Sequence, residues 1–299
     1  MRRMTFAIAV LALACVPLLA QPVPGRDLLR FPIGSMDRAR ALGSGLGDGF
    51  GNPATVALLD TAMMHIGIAG LQTSSQQGVT VQLGALVACL PEQFVLSASF
   101  ARASVADLVR TDTDPQSLGA EIAYGTQLFS FGVAKRIAGP FAMGAAVRYR
   151  TGELDLTNRG ELGADFGLLA TRLPLRDMSL GVGTFLWRPG RSLDQFTAIN
   201  AAGDLRVAGT RPLRELRVGY SSSAIRRGAR EEFVFAHGRY GIWEGRGGVA
   251  RDIVHGTHPW RTRLGLTVTV APYAVGIARE ENGAGLEAIY QFTLSARVR

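Results

Sequence analysis

Lysine is almost missing from this chain. Lys135 is the only one, although 32 basic residues against 24 acidic ones leave a net charge of +8. The arginines are scattered and no aromatic-basic patch appears, so the excess charge does not build the basic, stacking face that nucleic acid requires. No nucleic-acid partner is expected. Cysteine is equally scarce, with only Cys15 and Cys89. Cys15 falls in a leader: Arg2-Arg3, an apolar core from Phe6 to Ala14, then Leu18-Leu19-Ala20 before Gln21. Residues 1–20 are therefore expected to be removed as a signal peptide, with a lipoprotein cut before Cys15 as the alternative that Ala12-Leu13-Ala14 fits poorly. With Cys89 alone an intrachain disulfide is excluded, so packing and backbone hydrogen bonds must hold an exported chain together. Cys89 sits in Leu86-Val87-Ala88-Cys89-Leu90 and reads as a small buried hydrophobe.

Long apolar runs are absent as well. After residue 20 none reaches 18 uninterrupted residues, which excludes a transmembrane helix. Helix-period segments are missing, and so are the phosphate loop G-x-x-x-x-G-K-[ST], the zinc motif H-E-x-x-H and the pair C-x-x-C. The four histidines are His65, His237, His255 and His258. His255 and His258 share a loop without a third ligand nearby, so they read as polar turn material rather than a metal site. His65 with a strand serine, Ser97 or Ser99, would be the start of a lipase-like pair, but nothing in the spacing demands it. No enzyme activity, cofactor or metal is expected.

What is present is alternation of period two from about residue 62 to the end, the pattern of strands with two unlike faces. Trp260, Thr262, Leu264, Leu266, Val268 and Val270 oppose Arg261, Arg263, Gly265, Thr267 and Thr269. Phe141, Met143, Ala145, Val147 and Tyr149 oppose Gly144, Ala146, Arg148 and Arg150. Met64, Ile66 and Ile68 oppose His65, Gly67 and Ala69, and Leu162, Ala164, Phe166 and Leu168 oppose Glu161, Gly163, Asp165 and Gly167. About fifteen such segments recur, separated by turn chemistry such as Ala138-Gly139-Pro140 and Glu281-Asn282-Gly283. Segments 118–125 and 127–136 count separately, and the longest gaps fall at 104–117, 151–160, 188–198 and 252–259.

A soluble sandwich or propeller would bury the apolar face, whereas an outer-membrane barrel would turn it to lipid. Three features favour the barrel. The segments match the ~9–11 tilted residues that cross a bilayer, against about 5–6 in globular strands. The polar faces carry small and charged residues suited to a crowded lumen. Trp187, Tyr220, Tyr240, Trp260 and Tyr273 read as an interfacial girdle. The fold expected is all-β: a transmembrane antiparallel barrel of about 14 strands, range 12–16, over residues 62–299. His65, Arg148, Arg150, Arg261 and Arg263 would face its lumen. There they form an anion-attracting filter, or they pair with acids such as Glu121, Glu161, Asp165 and Asp204 and stiffen the interior; pairing is the simpler outcome.

Residues 21–61 stand apart. Gly43, Gly45, Gly47, Gly49 and Gly51 recur at every second position, so the dinucleotide fingerprint G-x-G-x-x-G never completes. Ser35 to Gly43 reads as a short helix ended by glycine, and Asn52-Pro53-Ala54 as the capped start of another. The pattern Ala39-Arg40-Ala41-Leu42-Gly43, a glycine-rich gap, then Asn52-Pro53-Ala54 with Val56-Ala57-Leu58 resembles the N-terminal signature of the PorV/PorQ type within the FadL-like (OMPP1/FadL/TodX) outer-membrane barrels. The gap here is shorter than that family's, and Thr55 stands where glycine is usual. The resemblance implies fourteen strands, with residues 21–61 folded into the lumen as a plug built on Ala41, Gly43, Asn52, Pro53 and Ala54. It further implies location in the outer membrane of a Gram-negative cell, with outer-membrane lipid and the barrel assembly machinery as partners. Two roles follow from it: PorV-type service to type IX secretion, with a secreted cargo protein as partner, or FadL-type uptake of hydrophobic small molecules such as fatty acids. A sealed structural barrel is a third.

Overall fold

The computed structural model describes residues 34, 36–43, 45, 47–59, 64–73, 78–106, 108, 122–187, 196–209, 213–225, 230–253, 260–282 and 288–298. The leader lies outside them. Fourteen strands follow the N-terminal segment: β1 Met64–Gln72, β2 Val79–Cys89, β3 Phe94–Val105, β4 Tyr124–Ala138, β5 Phe141–Leu154, β6 Thr157–Leu173 and β7 Met178–Trp187, then β8 Phe196–Ala208, β9 Leu213–Ile225, β10 Arg230–Tyr240, β11 Trp243–Ile253, β12 Trp260–Val270, β13 Tyr273–Asn282 and β14 Ile289–Val298. Each is antiparallel to the next, and β14 closes onto β1 with Met64 opposite Val298 and Gln72 opposite Tyr290. Closure leaves no unpaired edge, which is what a sheet in hydrocarbon requires.

Alternation explains which face points out. Ile68, Phe131, Phe166, Leu264, Val275 and Phe292 are exposed on the outer wall, while the intervening His65, Ala69, Arg148, Asp165, Arg263 and Gln291 are buried. A continuous apolar outer belt of this kind around a charged interior is the inverse of a water-soluble protein. The faces assigned above to β1, β5, β6 and β12 are those observed.

Several expectations need correcting. Segments 118–125 and 127–136 are not two strands: Tyr124–Ala138 runs unbroken, and the count falls to fourteen. Thr126, at the apparent break, is a ladder residue whose Oγ1 donates to Thr151 O at 2.9 Å. Residues 151–160 are not a loop either. β5 and β6 continue through them to a two-residue turn at Asp155-Leu156, where Asp155 takes a φ of 55°, a conformation Asp tolerates. Tyr220 lies mid-strand in β9 rather than at an interface. The helix expected from Ser35 to Gly43 is not found in its described residues, 36–43, which turn instead, with the N–H groups of Leu42 and Gly43 both donating to Ala39 O at 3.0 Å. So short a helix is marginal alone, and its side chains are drawn to different walls of the lumen. Pro53–Leu58 does restart a helix, of 3₁₀ type, with Asn52 Oδ1 accepting from Ala54 N.

The two ends of the barrel differ. At one, where β1 begins and β14 finishes, turns are short: 139–140, 241–242 and 271–272, with Gly139 and Gly241 at φ of 51° and 59° as two-residue hairpins favour. The longer connections, 106–123 and 188–195, lie at the other. These are called the turn end and the loop end below.

Candidate functional site

Residues 34–59 lie inside the barrel, and their backbone is read by wall side chains. Asn52 is central and fully buried. Its Nδ2 donates to Ala41 O at 2.9 Å and to the β6 carbonyl of Leu168 at 3.0 Å, while Thr55 Oγ1 donates to Asn52 O at 2.8 Å. From the wall, Asn200 Nδ2 donates to Gly51 O at 3.0 Å, Arg136 Nε to Ala57 O at 2.9 Å, and Arg148 Nη2 to Phe50 O at 3.0 Å. Gly34 N donates to Gln291 Oε1 at 2.9 Å. These bonds satisfy backbone groups that are cut off from water and would otherwise be costly.

Close approach depends on small residues in the wall. A Cβ on Gly167 would overlap Asn52 Oδ1, and one on Gly183 would overlap Gly51 O. Ala54 and Ala57 pack with Val87, Val95, Ala134, Ala142 and Leu169 in an apolar cluster against β2–β6. Of the motif residues, Ala41, Gly43, Asn52, Pro53 and Ala54 are all buried in this contact.

The lumenal arginines are paired. Arg148 meets Asp165, with its guanidinium 4.4 Å from the Phe185 ring and 5.0 Å from that of Phe50. Arg150 meets Glu161 on β6. Arg261 bonds Glu231 at 2.6 Å, Asp252 at 2.7 Å and Glu280 at 2.7 Å, and Arg263 shares Glu231 and Glu280. Pairing, not an open anion filter, is the arrangement found at these four arginines. Burial of such charges is tolerated because each guanidinium has carboxylate partners; removing one partner strands the other. Of the acids anticipated, Glu161 and Asp165 pair with these arginines, Asp204 pairs with Arg217 instead, and Glu121 lies outside the described residues.

Further charged residues were not anticipated. Arg217 binds Asp204 at 2.6 Å and Glu215 at 2.9 Å. Arg246 binds Asp37 of the lumenal segment at 2.9 Å and Thr267 Oγ1 at 3.0 Å. Their parity within β9 and β11 was available from the sequence; the partner 209 positions away was not.

His65 is buried and faces inward on β1. The registers place it opposite Val87, and Val87 opposite Ser97. Val87 therefore separates the two by two strand spacings, roughly 9–10 Å, and no catalytic pair forms. His255 and His258 lie outside the described residues.

Between the lumenal segment and a wall drawn mainly from β1 and β12–β14, with Leu83, Arg136 and Glu244 from β2, β4 and β11, is a cavity of about 540 Å³. Gly34, Arg38, Gly47 and Leu59 bound it on one side, and His65, Ala69, Thr267, Thr293, Ser295 and Arg297 on the other. It reaches the turn end at Ala271-Pro272. Toward the loop end lies an apolar cluster of Met36, Leu71, Val81, Leu83, Ala101, Leu128, Ala278 and Ile289.

No family model matches the chain, and no curated protein matches it in sequence. Solved structures share its fold. The CymD monoaromatic hydrocarbon channel aligns with a TM-score of 0.58 and 11% identity over 92% of this chain and 96% of that one. A Pseudomonas aeruginosa FadL homologue gives 0.54 and 13% over 89% and 96%. A TodX deltaS2S3 mutant, a monoaromatic hydrocarbon channel, gives 0.55 and 11% over 89% and 98%. The chain thus has the fold of FadL/TodX-type outer-membrane channels.

Proposed function

We propose that the chain is an outer-membrane channel for small hydrophobic compounds, with its lumenal N-terminal segment acting as the plug. The observation that carries this is the apolar cluster inside the barrel, which adjoins a cavity of about 540 Å³ of mixed lining, with Arg38, His65 and Arg297 beside Leu59, Ala69 and Leu83. Its size suits a small organic ligand. The shared fold of two monoaromatic hydrocarbon channels supports the same reading. The apolar belt supports a place in the bilayer, and the short turns support a periplasmic turn end by the rule that outer-membrane barrels follow. Arrival there requires export, which the leader in residues 1–20 would supply, and insertion by the barrel assembly machinery. The proposal is non-enzymatic.

Service to type IX secretion, implied by the PorV/PorQ-type motif, is the weaker role. It calls for a partner-gripping surface, and one of the four long gaps counted toward such a surface, 151–160, is a tight hairpin.

The test is uptake of toluene by cells whose lipopolysaccharide-bearing outer membrane carries the barrel, set against the same cells without it and against cells carrying an unrelated barrel, because a plain phospholipid bilayer dissolves toluene unaided. Faster entry is expected with this chain. Entry no faster than with either control would defeat the reading.

A further inference from the structure

The interior rows of the barrel are unequal in bulk. On β1, between the inward His65 and Leu71, and on β13, before the inward Glu280, the inward positions are small: Gly67, Ala69, Ala274, Gly276 and Ala278. None of these can reach the lumenal segment, which is itself glycine at positions 34, 45 and 47 along this side. The gap left between two stretches of small residues is the cavity. Elsewhere the segment is held by Asn52, Arg136, Arg148, Asn200 and Arg246 on β4–β6, β8 and β11, as described above. Facing β14, Gly34 N donates to Gln291 Oε1.

Register fixes what lies directly over the cavity. Leu83, Ala69 and Thr293 form one inward row, since Leu83 pairs with Ala69 and Ala69 with Thr293. Leu83, Ala69 and Thr293 all line the cavity. The next row toward the loop end is Val81, Leu71, Gln291 and Ala278. Met36 packs in the cluster containing Val81, Leu71 and Ala278, and only 1% of its surface is exposed. Leu83 and Ala69 belong to both cluster and cavity. Cluster and cavity therefore meet at that row, and Met36 is the lumenal segment's fully buried side chain in the cluster, with Phe50 packed against it.

We propose that Met36 is the gate of an axial solute path. The path runs from the apolar cluster near the loop end, past Met36 and the Gly34–Gln291 bond, into the cavity and out at the turn end beside Ala271-Pro272. Met suits such a position: its unbranched thioether changes rotamer easily and keeps an apolar surface toward the solute. An apolar constriction also stops water and ions while it yields to a hydrophobic solute. The size of the side chain at position 36 then sets which solutes pass. This inference rests on the transport reading above and adds to it the route and the residue that selects.

The experiment has two arms, each with toluene as the probe. In a Cys15→Ser, Cys89→Ser background, Thr293→Cys is labelled by a small water-soluble maleimide in the reconstituted barrel. Saturating toluene is expected to slow labelling severalfold, because Thr293 lines the cavity. In the second arm, Met36→Trp is expected to cut toluene uptake severalfold and Met36→Ala to raise it. Heat-modifiable migration confirms that each variant is folded, and the labelling arm does not depend on either Met36 variant. Uptake by the parent barrel that is indifferent to both Met36 substitutions overturns the gate and leaves the transport reading standing. Labelling unchanged by toluene overturns the path through the cavity. Absence of toluene uptake by the parent barrel sinks the transport reading, and the gate with it.

Discussion

Two walls of the same lumen treat the same segment differently. The wall of β4–β8 grips residues 49–59 through Asn52, Arg148, Asn200 and Arg136, over glycines that admit backbone to backbone contact. The wall of β1, β13 and β14 stands off behind small residues and leaves the cavity. The lumenal segment is specified by hydrogen bonds on one side and left unfilled on the other, which is what the proposed plug and solute path require. Substitutions on the gripping side should therefore act on seating and stability, and those on the open side on passage.

The largest effect is expected on the gripping side. Ala54 is fully buried against Val95, Ala134 and Ala142, with no acid in that cluster. Ala54→Arg would bury an unpaired charge there, which is costlier than leaving the seat empty. The segment should come out, and single-channel conductance in planar bilayers should rise sharply. Parental conductance from a folded A54R barrel would break the distinction between the walls.

Next comes the ion network near the loop end. Glu280 is buried and accepts from both Arg261 and Arg263. Glu280→Gln should cost about 3–5 kcal/mol, because two buried guanidinium groups lose a carboxylate partner. Urea unfolding in lipid vesicles measures it, and a loss within error would mean the network is compensated by the remaining Glu231 and Asp252.

The sequence made the barrel legible and left the network illegible, for a physical reason. Outward residues share one environment, lipid, so alternation alone fixes parity wherever the inner face is polar; hence the inward placement of His65, Arg148, Arg150, Arg261 and Arg263. Parity becomes ambiguous where both faces carry apolar residues. In β2 the inward residues are Val79, Val81, Leu83 and Val87, and Thr80 and Gln82 point out. In β10 Phe233 and Phe235 point in beside Glu231. Which acid meets which arginine depends on the stagger between strands, a property of the closed barrel that no single strand encodes. The same holds for the segment: Asn52-Pro53 declared its cap locally, whereas the turns of residues 36–43 are set among distant partners, Asp37 meeting Arg246 and Met36 joining the cluster of Leu83.

A smaller loss is expected from Asn52→Ala, which removes one cap and two side-chain donations, to Ala41 O and Leu168 O. About 1–3 kcal/mol follows if the carbonyls stay unsatisfied. The sharper readout is hydrogen exchange at Ala54 and neighbouring amides, which should quicken before the barrel as a whole is weakened. Unchanged exchange would show that the glycine contacts alone hold the seat.

The least effect on stability, and the clearest on passage, should come from filling the open side. Ala274 faces inward on β13 and lines the cavity, next to Thr269 across the β12 ladder and Ser295 across the β14 ladder. Ala274→Leu adds three carbons into existing space, so it meets none of the overpacking that larger side chains meet in a filled core. Thermal unfolding should be unchanged or slightly raised, since added apolar surface finds neighbours in Leu58 and Leu59 of the segment, which bound the same cavity. Toluene entry should nevertheless fall, because the substitution narrows the space beneath Met36 without touching the grip on Asn52. A variant that loses stability along with uptake would mean that the cavity is part of the packing after all; one that keeps both would place the solute path along some other wall.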